Sequence, residues 1–144
     1  MGNITTVQQI YAAFGRGDIP AILEHLADSV EWEYGISKTE VPWLQLQNGK
    51  TNVSNFFESL KQFDLHKFEP KVFFENGNIV VALIDVELTV KATGIKIIEE
   101  DETHIWHFNT KGQVIKYGHR LDTHRHWLAY KGKNSLGINL VDFA

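Results

Sequence analysis

The sequence predicts an α+β domain, with helices first and a run of long antiparallel strands after them. Three observations carry this prediction. Apolar residues recur at helical spacing near the N-terminus and again after Gly49. From Lys67 onward the chain falls into strand-like runs: "KFEPKVFFE", "NIVVALIDVELTV", "IKIIEEDETHIWHF" and "QVIKYGHRLD". Turn signals separate these runs at Asn76-Gly77, at Thr93-Gly94 and at the "NTKG" of residues 109–112.

In chain order, Thr5 or Thr6 caps a first helix whose apolar face is Val7, Ile10, Tyr11 and Phe14, and Gly15 and Gly17 close it. Asp18 caps a second helix with Pro20 in its first turn and Ile22, Leu23 and Leu26 on its apolar face. "SVEWEY" is a strand that places Val30, Trp32 and Tyr34 on one side and Glu31 and Glu33 on the other. Residues 35–48 are irregular around Pro42 and Trp43. A third helix after Gly49 carries Val53, Phe56, Phe57 and Leu60. Thr123 to Ala144 reads as a short helix and a tail, so residues 1–131 are expected to form a single domain and 132–144 a C-terminal tail.

Composition narrows the function. The chain has 144 residues, 43% hydrophobic and 22% charged, which suits one globular domain with a core of its own. There is no cysteine, so neither a disulfide framework nor a thiolate metal site can form. Net charge is −4 with the cations scattered, which argues against a nucleic-acid partner. No apolar run reaches the length of a membrane span and no signal-peptide pattern opens the chain, so a cytoplasmic location is expected.

Five of the seven histidines lie between His104 and Trp127. Closing a hairpin over "NTKG" sets Phe108 opposite Gln113, Trp106 by Ile115, His104 by Tyr117 and Glu102 by His119, on one face. The other face takes Ile105, His107, Val114, Lys116 and Arg120. The preceding hairpin, closed over Ala92 to Ile95, adds Leu83 and Asp85 to the first face and leaves Val80, Ala82, Ile84, Val86 and Leu88 on the second. The first face, rich in polar and aromatic groups, is the expected pocket lining. Pleating puts His104 and His107 on opposite faces, which splits the histidines and argues against a metal site. The second face needs a cover that three helices cannot also supply, so a homodimer through the outer sheet face is expected.

With the elements in place, the chain resembles the SnoaL-like and ketosteroid-isomerase-like members of the nuclear transport factor 2-like superfamily. The resemblance rests on "YAAFGRGDIPAILEHLADSVEWE", "VPW" with "NGKTNVSNFFESL", "FEPKVFFENGNIVVAL" and "HIWHFNTKGQVIKYGHRLDT", together roughly residues 4–127. It implies a cone-shaped (cystatin-like) fold, three N-terminal helices packed on a strongly curved, mostly antiparallel sheet, usually dimerised through that sheet. It also implies isomerase, cyclase or dehydratase chemistry without a cofactor, or plain ligand binding. The groups that ketosteroid isomerases use are replaced: the helix-1 tyrosine falls on Ile10, with Tyr11 beside it; the base aspartate falls on or near Tyr34; the oxyanion-hole aspartate falls on His104. Steroid isomerisation is therefore not expected. The base aspartate of SnoaL-like cyclases matches Asp122.

The expected catalytic groups are His104, His119, Glu102 and Asp122, with no metal or cofactor. The expected pocket lining is Tyr11, Trp32, Tyr34, Trp43, Phe56, Leu83, Asp85, Trp106 and Tyr117, around a small apolar or ring-containing ligand. Glu99, Glu100 and Asp101 read as a solvated strand end, and His124 and His126 as lying at the exit of the last strand. The competing expectation is a binding or dimerisation module of the same fold that performs no chemistry.

Overall fold

In the computed structural model, which describes residues 2–134 and 136–140, the order of elements follows the sequence pattern. Helix α1 spans Asn3–Gly15, starting at Gly2 with no side-chain cap, so the threonine caps expected at Thr5 or Thr6 are not used. Asp18 does cap α2 (Ile19–Leu23), accepting from the Ala21 N–H at 3.2 Å. Strand β1 (Leu26–Trp32) follows, then a 3-10 turn at Pro42–Leu44, the short β2 (Gln47–Asn48) and α3 (Lys50–Ser59). The long strands β3 (Phe63–Asn76), β4 (Ile79–Val90), β5 (Lys96–Phe108) and β6 (Val114–Arg120) lead to α4 (Thr123–Lys131). Gly132 ends α4 in the left-handed conformation, φ 73°, and the tail closes a bridge between Lys133 and Asn139. The last four residues of the expected tail lie outside the described residues.

The strands form one open sheet in the order β2-β1-β6-β5-β4-β3, antiparallel except where β1 runs parallel to β6. Helices α1 and α3 cover its inner face. Val7, Ile10 and Ala13 from α1, Val53 and Phe56 from α3, and Val30, Trp32, Val80, Trp106, Phe108 and Tyr117 from the sheet make one core cluster. A second cluster, Val41, Trp43, Leu44, Ile84, Val86, Leu88, Val90, Ile97 and Ala129, seals the end where α4 packs. No helix among the described residues is long and apolar enough to cross a membrane.

Two bulges set which residues face inward, and one overturns part of the expected register. Between β4 and β5 the pairing runs Leu88 to Ile97 and Val86 to Glu99, then resumes one step out of phase with Ile84 to Glu102 and Ala82 to His104. The extra residue is absorbed at Glu100-Asp101, where Asp101 takes φ 60° and its N–H donates to the Asp85 carboxylate at 3.1 Å. Because the side-chain period is two, this step exchanges faces. Val80, Ala82, Ile84, Val86 and Leu88 are buried inside, whereas Leu83 and Asp85 lie on the outer face, the reverse of the expected placement. Asp85 there pairs with Lys71 at 2.9 Å.

The bulge has a second consequence. Glu99, inward before it, and Glu102, inward after it, are both buried, so the acidic run is not simply a solvated strand end. Between β5 and β6 the pairs are Trp106 to Tyr117 and His104 to His119, two residues further along than expected. A two-residue shift preserves parity, so Glu102, His104, Trp106, Tyr117 and His119 do share one face. Val114, expected outside, moves into the core, where it pairs with Phe108, and Ile115, expected opposite Trp106, becomes the extra residue of the bulge between Val114 and Lys116.

Candidate functional site

The inner face of the sheet, α1 and α3 enclose a cavity with about 80 Å³ of room for the centres of water-sized molecules, enough for several waters. Its walls are mostly aromatic and aliphatic: Tyr11, Phe14, Trp32, Trp43, Phe56, Phe57, Phe68 and Trp106 among them, with the half-exposed Leu65 also on the wall. Into this apolar space project Glu102, His104, Tyr117, His119 and His126.

Of the site residues expected from sequence, His104, His119, Glu102, Tyr11, Trp32, Trp43, Phe56, Trp106 and Tyr117 all line the cavity. Four do not. Leu83 and Asp85 are turned outward by the bulge. Tyr34 packs on the outer side, its hydroxyl 2.9 Å from His107 Nε2 and its ring beneath Arg120. Asp122 caps α4 by accepting from the Arg125 N–H at 3.0 Å, and its own N–H donates to Glu99. The carboxylate of the aspartate that matches the cyclase base is thus a helix cap, and only its backbone N–H reaches the buried Glu99.

His104 sits in a chain of hydrogen bonds. Its Nε2 lies 2.7 Å from Glu102 Oε2, and its Nδ1 lies 2.9 Å from the Tyr11 hydroxyl and 3.3 Å from the Tyr117 hydroxyl. The indole N–H of Trp106 donates to the Tyr11 oxygen at 3.1 Å. Burial pushes the imidazole below its ordinary value and outweighs the lift from Glu102, so His104 is neutral at pH 7. Burial alone would raise the Glu102 carboxyl, but the hydrogen bond from His104 and the charge of His119 hold it below its ordinary value. An ionised carboxylate only accepts, so the single imidazole proton is on Nε2 and Nδ1 carries a lone pair. One lone pair takes one donor well. Tyr11, the nearer hydroxyl, fills it, which leaves the Tyr117 O–H able to donate elsewhere.

His119 has the opposite electrostatics. Its Nδ1 is 2.6 Å from Glu33 Oε2, and both side chains are buried, at 8% and 0% exposure. Burial works against the charged form, but the close charge of Glu33, with Glu102 and Glu99 behind, pushes the imidazole up to about 9. His119 is therefore an imidazolium at pH 7, only 5.7 Å from the neutral ring of His104 between centroids. None of the hydrogen bonds among the described residues uses its Nε2–H. The sequence reading placed Glu33 outside by strand alternation. The chain instead leaves β1 at Trp32, takes φ 67° at Glu33 and turns the carboxylate inward, while the Glu33 N–H donates to the Tyr117 carbonyl at 2.6 Å. A left-handed glutamate has no signature in sequence, and no pattern could have found it.

A third pair, His126 Nε2 to Glu99 Oε1 at 2.5 Å, closes the α4 end. His126, expected near an exit, is 2% exposed. This one was findable: in a helix His126 shares a face with Ala129 and Tyr130, the face that packs inward. The Trp43 indole N–H donates to His126 Nδ1 at 2.9 Å. An indole only donates, so the His126 proton sits on Nε2 and points at Glu99. Glu99, Glu102 and His126 bring one potential ligand atom each to within 4.8 Å of one another. A cation there would need the Nε2 lone pair, whose place is taken by that proton, so the donor set does not fit a metal.

The SnoaL-like domain family matches residues 7–117. Among solved structures, the chain is similar to a nuclear transport factor 2-like protein of unknown function from Burkholderia pseudomallei K96243, at 25% identity and TM-score 0.76, covering 87% of this chain and 95% of that one. It is similar to TerC, co-crystallised with polyporic acid, at 23% identity and TM-score 0.71, covering 85% and 93%. It is also similar to a candidate polyketide cyclase from Pseudomonas putida KT2440, at 20% identity and TM-score 0.69, covering 90% and 98%. No curated protein matches the chain. These structures share the cone-shaped fold expected from the sequence.

Proposed function

Because the chain belongs to the SnoaL-like domain family, we propose that its cavity takes a small, largely apolar, ring-containing molecule and moves a proton on it without a cofactor. The observation that carries this reading is one cavity holding two imidazoles driven in opposite directions, His104 neutral and His119 charged. A neutral imidazole backed by a carboxylate is a base; an imidazolium with a free N–H is an acid. The His104–Glu102 pair removes a proton from the carbon beside a carbonyl, at Nδ1, once the substrate takes the place of the Tyr11 hydroxyl. Tyr117 O–H and His119 Nε2–H donate to the carbonyl oxygen as charge develops on it. Returning the proton at another carbon is an isomerisation; expelling a hydroxyl protonated by His119 is a dehydration. That TerC was co-crystallised with polyporic acid supports reading the cavity as a ligand site.

Wild-type protein incubated in D₂O with a panel of mono- and bicyclic aromatic ketones is expected to exchange the carbon-bound proton next to the carbonyl of those that bind, followed by NMR. Ligands that bind without exchange or turnover would move the assignment to the non-catalytic module. The outer face carries an apolar stripe of Val72, Phe74, Val81, Leu83 and Ile105, with Phe74 56% exposed. A second copy of the chain laid on that stripe gives the homodimer, and light scattering at micromolar concentration is expected to return twice the chain mass, falling toward one chain mass in Phe74→Lys. A wild-type monomer would refute this arrangement.

A further inference from the structure

A second recess, distinct from the apolar cavity, opens between residues 35–39 and the start of α4, and among its lining residues are Lys38, Thr39, Arg120, Thr123, His124 and Trp127. It leaves about 480 Å³ for the centres of water-sized molecules, and only His119 lines both spaces. Its chemistry is unusual for this chain. Among the described residues, every lysine and arginine has a carboxylate partner except Lys38, Lys111, Arg120, Arg125 and Lys133. Two of those five, Lys38 and Arg120, are on its wall, and the ammonium of a third, Lys133, lies 5.3 Å from the ring of the lining residue Trp127. The acids next to the lining residues are engaged elsewhere: Glu33 pairs with His119 at 2.6 Å, Asp122 caps α4, and Glu40 pairs with Lys131 at 2.8 Å.

Arg120 is also held in place. Its Nη1 donates to the carbonyls of Tyr34 at 3.2 Å and His119 at 3.3 Å, and its guanidinium lies 4.8 Å from the centre of the Tyr34 ring. Both bonds use one nitrogen, so the rest of the fork is left for a ligand. The rings of His124 and Trp127, both on the wall, lie within 13° of parallel with their centroids 6.2 Å apart. With a net charge of −4 the chain as a whole repels anions, so attraction in this recess is local, within a Debye length of about 8 Å.

We propose that this recess binds the anionic group, a phosphate or a carboxylate, of a small organic molecule, with Arg120 as the fixed contact and Lys38 closing from the loop. The occupant is separate from the molecule in the apolar cavity, and the proposal does not depend on the chemistry assigned there.

The test reads Trp127, because Trp32, Trp43 and Trp106 are each 2% exposed and Trp127 alone meets the recess. Tryptophan fluorescence is titrated with sodium phosphate and, separately, with sodium benzoate, at constant ionic strength. At least one is expected to give a saturable change that disappears in Trp127→Phe. Saturation by phosphate alone assigns a phosphate ligand, and by benzoate alone a carboxylate. Lys38→Glu and Arg120→Gln are each expected to weaken binding at least tenfold, while Lys111→Glu, the same charge change elsewhere, leaves it unchanged. Lys38 is exposed and makes no hydrogen bond or ion pair among the described residues, so its variant folds even where Arg120→Gln does not. No saturable change with either anion, or wild-type affinity in Lys38→Glu, would overturn the proposal.

Discussion

Replacing Glu33 by alanine is expected to lower the unfolding free energy at pH 7 by about 3–5 kcal/mol, the cost of leaving a buried charge without its partner. The charge is the His119 imidazolium, 2.6 Å from the lost carboxylate and 8% exposed. Against a total of about 5–15 kcal/mol for an ordinary domain, the variant is at the edge of folding. His119 can escape part of the penalty by giving up its proton, which makes the pH dependence the sharper readout. In the wild type the folded imidazole titrates at about 9, above the ordinary 6.5, so its stabilisation is complete below about pH 6.5 and disappears as pH rises through 9. The difference corresponds to on the order of 3 kcal/mol. Urea unfolding of the wild type between pH 6.5 and 9.5 is expected to show that decline. Glu33→Gln and Glu33→Ala are expected to lack it. Glu33→Gly separates backbone from carboxylate, since glycine takes φ 67° without strain. An alanine variant as stable as wild type, with the same φ 67° backbone and no carboxylate, would mean that the pair contributes nothing.

The sequence made the architecture legible because periodicity survives local irregularity. Helical spacing in α1 and α3 and alternation in the long strands do not depend on any one residue, and Asn76-Gly77 and "NTKG" mark real turns. The face of each strand was less secure. On β6 a two-residue shift left His119 and Tyr117 where alternation put them. On β4 a single inserted residue at Glu100-Asp101 sent Leu83 and Asp85 out and brought Ile84 in. Nothing in "EEDE" announces a bulge, because any of those residues could be the extra one. The site therefore came through in part. His104, Glu102, His119 and Tyr117 were visible as neighbours across two strands. Glu33, the partner of His119, and Glu99, the partner of His126, were not, because each is turned inward by a backbone departure, a left-handed residue in one case and the bulge in the other.

Replacing His104 by glutamine is expected to lower proton exchange on a bound ring ketone by about 10²–10⁴-fold, the range for loss of a positioned general base. Binding is expected to hold within a few-fold, because most of the cavity wall is aromatic and aliphatic and stays in place. That split separates a catalytic histidine from a structural one. The pH profile adds a second separation. His104 works as a base only when neutral, and burial holds it neutral to below its ordinary value, so the acid limb of the wild-type rate lies under pH 6.5. His119 donates only while protonated, so the alkaline limb lies near pH 9. In His119→Gln the alkaline limb is expected to vanish and the remaining rate to follow the acid limb alone. Tyr117→Phe removes the other donor and is expected to cost about 10²–10³-fold with the limbs unmoved, as for one lost oxyanion contact. A His104→Gln variant that exchanges at the wild-type rate would dismiss the imidazole pair as the origin of the chemistry and return the cavity to a binding role.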